Sequence, residues 1–406
     1  MMNSTALAQG PLSGLKVIEI CTTIAGPACA RLLGDMGADV IKIESFEGDP
    51  VRQMGQHLDD VSLYAASLMR NKRSIALDLK TDAGKGLALA LIDKADILVE
   101  NNRPDVMERL GLGYEVLSQR NPGLVMVRIS GYGQDGPYAD RPGYGAICEA
   151  VAGVRNMTGD PDRPPARVAL ATTDYLSSVY AAFGAVAAIH ARHTTGKGQI
   201  VDTALYEAAF TQMEPVVPAY DKLGLIPQRE GANLPSMAPN SSYPTRDGGW
   251  MLIAANSQPI WRRLVQLMAQ PELLTDPRFE SIQVRGRPEN MKAIDAIVAQ
   301  WSGQHESNAL EQLLQQAQVP CSRVYNIADI YADPHYRARD MLLKVAHPKV
   351  GHTTQMGVVP RLSETPGSVR HTGPDAGANG LDILENELGM TPAELDALVR
   401  CGAVRL

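Results

Sequence analysis

Asp174 is the side chain in this 406-residue sequence with the most promising surroundings for chemistry. It is the only acidic residue between Asp162 and Asp202, and it heads a run of small and apolar residues, Tyr-Leu-Ser-Ser-Val-Tyr-Ala-Ala-Phe-Gly-Ala-Val-Ala-Ala-Ile-His. The run, with Gly196 and Gly198 as stop signals, predicts a helix from about Leu176 to His193, so Asp174 falls at or just before its first turn. Two roles fit that position. One is an N-cap, whose oxygen accepts an otherwise orphan backbone N–H. The other is a carboxylate nucleophile, kept ionised and presented by the positive end of the helix. Position alone favours the cap.

Other reactive groups are sparse. None of the eight histidines lies between His57 and His190, so no Ser-His-Asp or Cys-His arrangement forms around Asp174 by sequence proximity. His190 and His193 share a helix face, where cations suit the carboxyl end of the dipole better than they suggest a metal pair, and no metal site is expected. The five cysteines, 21, 29, 148, 321 and 401, form no Cys-x-x-Cys pair and read as buried free thiols. Lys80, and the basic groups of the stretch Asn101 to Arg109, follow strand ends and could hold phosphates, although exposed charges are as readily explained by solvation.

The elements that position these groups alternate. Gly14 to Ile20 reads as a strand, Pro27 to Met36 as a helix and Ala38 to Glu44 as a second strand, a βαβ unit. Ser74 to Leu79, a helix over Ala83 to Lys94, and strands at Asp96 to Glu100 and Leu124 to Ile129 continue the pattern. The fold class is therefore α/β, with a Rossmann-like large domain built on a mostly parallel sheet and a smaller α/β domain. The first turn, Thr22-Thr-Ile-Ala-Gly-Pro, lacks Gly-x-Gly-x-x-Gly and a P-loop lysine, which argues against a nicotinamide or ATP site. Gly26-Pro27 fits a helix start with Pro at N1, leaving free N–H groups toward the carboxyl edge of the sheet.

Residues 1–217 are assigned to the large domain, 218–244 to a linker rich in Pro, Gly, Asn and Ser, 245–328 to the small domain, and 329–406 to a return segment packing on the large domain. Helices are expected near Ile260 to Met268, Met291 to Trp301, Asn308 to Ala317 and Pro392 to Cys401. The net charge of -7, with dispersed Lys and Arg, gives no footprint for nucleic acid. The start of the chain lacks a basic n-region and an apolar h-region, and no run is apolar enough to span a bilayer, so a cytoplasmic protein without a membrane partner is expected.

Taken in order, several blocks resemble the family III CoA-transferases and the related 2-methylacyl-CoA racemases over nearly the whole chain. They are Gly14-Leu-Lys-Val-Ile-Glu-Ile with Ala25-Gly-Pro-Ala, Gly37-Ala-Asp-Val-Ile-Lys-Ile-Glu, Asn71-Lys-Arg-Ser-Ile, Val99-Glu-Asn, Gly131-Tyr-Gly-Gln-Asp-Gly-Pro and Thr195-Gly-Lys-Gly-Gln-Ile-Val-Asp. The resemblance places Asp174 at the family's catalytic aspartate. It implies CoA contacts at Ile24, Ala25, Leu77, Asp78, Leu79, Lys80, Asn101, Asn102, Arg103, Arg109 and Tyr144. It also implies an interlocked, ring-like homodimer, with CoA thioesters as substrates and no permanently bound cofactor. Tyr144 stands where the racemases carry a catalytic histidine, which favours transfer from an acyl-CoA donor to a carboxylic acid acceptor over epimerisation, because a phenol is a poor proton shuttle at neutral pH. Gly145 replaces an acidic residue common in the family, and Leu234 to Tyr243 stands where a glycine-rich substrate loop is expected. The chain itself does not name the acceptor; the resemblance implies a dicarboxylate or hydroxyacid as the expected class, and Arg103, Arg141 and Arg246 are candidates to pair its distal carboxylate. The alternatives are an acyl-CoA racemase or epimerase of the same fold and a non-catalytic CoA-binding protein.

Overall fold

A computed structural model describes residues 10–406, so the start of the chain lies outside the described residues except for Gly10. It divides into two compact units. The first holds the residues up to Val154, Val168–Gly224 and Pro334–Leu406; the second holds Arg155–Arg167 and Leu225–Asp333. The stretch 218–244 is not a plain linker, since it contains the end of the helix Val216–Leu223 and the strand Asn240–Pro244.

In the first unit, β1 (Lys16–Ile20) leads into α1 (Ala25–Asp35) and β2 (Asp39–Glu44). Then follow β3 (Lys72–Leu77), α2 (Asp82–Ile92), β4 (Ile97–Glu100) and β5 (Val125–Ser130). Next come α3 (Gly145–Val151), α4 (Thr172–Thr195) and β6 (Ile200–Ala204). These six strands are parallel and lie in the order β3-β2-β1-β4-β5-β6. A final short strand, β7 (Val404–Arg405), pairs antiparallel with β3 and closes that edge. Beyond their first residues the central strands are buried and rich in Val and Ile, as a sheet covered on both faces requires. The strand order reverses direction between β1 and β4, and in open α/β sheets ligands bind outside the carboxyl ends of the strands at that point.

The alanine run after Asp174 serves packing. Ala181, Ala185 and Ala188 share a core with Cys29, Ala30 and Leu33 of α1. At Gly184 an added β-carbon would lie 2.6 Å from Val201, so only glycine lets α4 sit this close to β6. The helix begins at Thr172, earlier than expected, and Gly196 ends it in the left-handed conformation. In the second unit, Asn240–Pro244, Trp250–Ala254 and Cys321–Arg323 form an antiparallel sheet, with helices Gln258–Leu267, Pro288–Ser302 and Ser307–Gln316. No helix of the described residues is long and apolar enough to cross a membrane.

Candidate functional site

Asp174 is the third residue of α4, not its cap: the N-cap is Ala171, and no side chain caps the helix. A helix that precedes a parallel strand starts at the carboxyl edge of the sheet, so Asp174 faces the edge where ligands of such folds bind. Its carboxylate lies against Gly145, the first residue of α3. A β-carbon built on Gly145 would meet Asp174 Oδ2 at 2.1 Å and Cγ at 2.9 Å. The acidic residue expected at this position therefore cannot be accommodated with Asp174 as it stands. Tyr144, the residue before, is 72% exposed. Cys148, one turn into α3, has its thiol pushed up to about 11, by burial first and by the Asp174 charge second.

Two hydroxyls anchor the backbone of Asp174. Ser177 Oγ donates to Asp174 O at 2.9 Å. Ser178 Oγ lies 2.6 Å from Asp174 O and 2.7 Å from Ala25 O, with one proton to donate between them. Ser178 thereby ties the start of α4 to the start of α1. Helix α1 begins at Ala25 after Ile24, and Pro27 is its third residue rather than N1, a position where a missing N–H is still harmless. Both Ile24 and Ala25 are buried.

The turn before α1 is held from two sides. Asn101, just after β4, accepts from Thr22 N at 2.9 Å and donates from Nδ2 to Thr22 O at 2.8 Å. Thr23 has φ of +71°, an unfavourable conformation for a β-branched residue, and its N–H is fixed by Asp49 Oδ1 at 2.9 Å. Beneath it, the Lys42 ammonium contacts Glu19 at 2.7 Å, Asp49 at 2.9 Å and Cys21 O at 2.7 Å. Lys72 contacts Glu19 at 2.6 Å and Pro27 O at 2.7 Å. Burial pushes the Glu19 carboxyl up, but the two ammonium groups outweigh it and hold the group ionised.

The remaining sequence candidates divide. Leu77 is a core side chain at the end of β3, packed in a hydrophobic cluster. Asp78 donates its N–H to Ala403 O at 3.0 Å and accepts from Lys80 N at 2.9 Å, which shapes the turn that carries the half-buried Leu79 and the exposed Lys80. Asn102 donates its N–H to Glu100 at 2.7 Å. Arg103 donates to Asp140 O, and Arg109 is exposed on its short helix. Apart from Leu77, which ends β3, these residues follow carboxyl ends of parallel strands, but the contacts above join only Ala25, Tyr144 and Asp174 to the same small region, with Ile24 and Asn101 bordering it. Leu234 to Tyr243 ends in a strand whose Tyr243 is buried and donates to Asp295 at 2.6 Å.

Sequence reasoning missed Ser178, Tyr64, Tyr175 and Arg31. The spacing from Asp174 to Ser178 is one helical turn and offered a signal; the others depend on packing between distant elements. Tyr64 and Tyr175 place their hydroxyl oxygens 3.2 Å apart, and Arg31 lies over the Tyr175 ring at 5.9 Å. Burial, and the neighbouring Tyr175 hydroxyl, push the Tyr64 phenol well above its ordinary value. Of the cysteines, 21, 29 and 148 are buried as expected, but Cys321 is partly accessible and Cys401 is exposed.

Comparison with known proteins agrees with this architecture. The profile of CoA-transferase family III matches residues 12–380. The chain is 43% identical over 390 residues, 96% of each chain, to succinyl-CoA–D-citramalate CoA-transferase of Chloroflexus aurantiacus. It is 36% identical over 349 residues to succinyl-CoA:mesaconate CoA-transferase of Haloarcula marismortui, covering 84% of this chain and 87% of that one. A CAIB/BAIF family protein from Brucella suis superimposes with a TM-score of 0.83 at 31% identity, over 93% of this chain and 100% of the other. With a match across nearly its whole length, the chain belongs to the family III CoA-transferases.

Proposed function

We propose that the protein moves CoA from succinyl-CoA, or a similar acyl-CoA, to a dicarboxylate or hydroxyacid acceptor, with Asp174 as the nucleophile. The acyl classes are those in the names of its relatives, which act on citramalate, malate and mesaconate. The observation that carries the role of Asp174 is its carboxylate seated against Gly145 at the carboxyl edge of the sheet.

Exchange of one thioester for another suits a carboxylate, which makes an acyl anhydride of comparable reactivity. Asp174 attacks the donor thioester carbonyl, the C–S bond breaks, and CoA thiolate leaves an aspartyl-acyl anhydride. The thiolate then attacks the aspartyl carbonyl, releasing the donor acid and forming an aspartyl-CoA thioester. The acceptor carboxylate attacks that thioester and expels the thiolate, giving a second anhydride. Attack of the thiolate on the acceptor carbonyl yields the new acyl-CoA and restores Asp174. Backbone N–H groups at the crevice stabilise the developing oxyanions. CoA contacts are assigned to Ile24, Ala25, Leu79, Lys80, Asn101 to Arg103, Arg109 and Tyr144, and through backbone groups to Leu77 and Asp78.

The active form is assigned as an interlocked homodimer. Its support is the apolar stripe Val179, Tyr180, Phe183 and Val186 on α4, which stays exposed within one chain, Phe183 at 72%. A covered site would also protect the anhydrides from water. The test is peptide mass spectrometry after mixing the protein with succinyl-CoA and trapping with hydroxylamine. The expected result is a hydroxylamine-sensitive adduct on the Asp174 peptide, absent in Asp174→Ala. CoA binding without that adduct would sink the mechanism.

A further inference from the structure

A buried cation beside this site lacks a hydrogen-bonded or ion-paired acceptor among the described residues. Arg31 on α1 is only 7% exposed. Its Nε is enclosed without an acceptor, and neither Nη makes a hydrogen bond or ion pair among the described residues. Asp35, one turn further along α1, does not supply the acceptor. Its Oδ1 is taken by Arg70 Nε at 3.1 Å and Asn71 Nδ2 at 2.8 Å, and its Oδ2 by Arg70 Nη2 at 2.7 Å. A buried guanidinium cannot shed its proton to escape the cost of burial, so left alone it is destabilising.

Its surroundings connect it to Asp174. The Arg31 guanidinium lies over Tyr175, the neighbour of Asp174, and Tyr175 reaches Tyr64 through their hydroxyls. The Asp174 and Arg31 charges both act on the Tyr64 hydroxyl, in opposite directions. Long side chains on a helix lean toward its amino end, which directs Arg31 toward the start of α1 and the carboxyl edge of the sheet. The arginines singled out from the sequence are otherwise engaged. Arg103 donates to Asp140 O, Arg141 stacks 3.5 Å over the Tyr138 ring, and Arg246 pairs with Glu306 at 2.8 Å.

We propose that Arg31 determines substrate class by receiving the distal carboxylate of a dicarboxylic acyl group or acceptor while the other end is exchanged at Asp174. A planar fork of N–H donors matches a carboxylate in two-point fashion. The proposal rests on the transferase reading above, and its test separates the two. Transfer is measured with succinyl-CoA or butyryl-CoA as donor and succinate, citramalate, malate, mesaconate or butyrate as acceptor, in the wild type, Arg31→Gln and Arg31→Lys. Succinate is also titrated against each protein, following the melting temperature without CoA.

In Arg31→Gln the ratio of kcat/KM for the diacid to that for the monoacid should fall about 100-fold, chiefly through KM, with partial recovery in Arg31→Lys. Succinate should raise the melting temperature of the wild type but not of Arg31→Gln, and the ligand-free variant should be at least as stable as the wild type. An unchanged ratio, an equal loss for both acids, or no difference in the succinate shift would overturn the proposal. Wild-type protein that moves CoA between none of these pairs refutes the transferase reading instead, and the succinate shift still decides the role of Arg31.

Discussion

Gly145 and the Asp174 carboxylate are in such close contact that a β-carbon on Gly145 would lie 2.1 Å from Oδ2. The intruding atom would be met by a carboxylate at the head of a packed helix, so the carboxylate must swing away. Gly145→Ala should keep its fold and CoA affinity yet lose about 100-fold in transfer, the usual cost of an ångström of misplacement. Steady-state kinetics with a CoA-binding measurement checks this; wild-type turnover would show that the carboxylate has room to move.

Ser178 makes a different prediction because it acts on backbone. With its hydroxyl gone, either Asp174 O or Ala25 O loses one of its donors, which costs about 0.5–1.5 kcal/mol because Ser177 still donates to Asp174 O and both carbonyls lie in helices. Ser178→Ala should lower the denaturant midpoint accordingly and raise KM for acyl-CoA, since α1 and α4 lose a tie at the site. Ser178→Thr, which keeps the hydroxyl, should recover part of both.

Acid stability should depend on Glu44. Burial pushes its carboxyl up, but Arg52, Lys42 and the Ser74 hydroxyl outweigh this and bring it down to about 2. The folded value lies below that of the unfolded chain, so the stabilisation is fully present above the unfolded value of about 4.3 and is lost as pH falls toward 2. Melting curves from pH 6 to 2 should show the advantage of the wild type over Glu44→Gln shrinking across that window. A constant difference would count against the ionised pair.

Thiol chemistry should be confined to two positions. Burial pushes Cys29 up to about 12 and Cys148 to about 11, and Cys21 is also raised well above the ordinary range. Ellman's reagent at pH 8 should label Cys401 quickly and Cys321 slowly, with the other three reacting only in denaturant. Fast labelling of Cys148 in the native protein would refute the packing described around Asp174.

These relationships differ in how far the sequence announces them. The parallel strands were legible because burial on both faces demands unbroken runs such as Val-Ile-Glu-Ile, and the α4 helix because Gly196 closes a long run of small residues. Asp174 was legible as the head of that helix, but position alone favoured a cap, because its being the third residue depends on Thr172 and Thr173 joining the helix. Arg155–Arg167 was not legible as part of the second unit, because a Pro-rich stretch has the same local character wherever it packs. Arg31 was invisible for a similar reason. Whether it is paired depends on Asp35 being held by Arg70, which lies 35 residues further along the chain.

The sheet of the first unit needs residues made after the second unit has been synthesised. Until β7 arrives, the β3 backbone offers an open hydrogen-bonding edge to any passing strand, and the segment from Pro334 onward has yet to cover the first unit. A ribosome-bound chain therefore carries an incomplete sheet through the whole interval in which residues 225–333 emerge. Aggregation during expression should arise in that interval, and slowing translation within the second unit should worsen it.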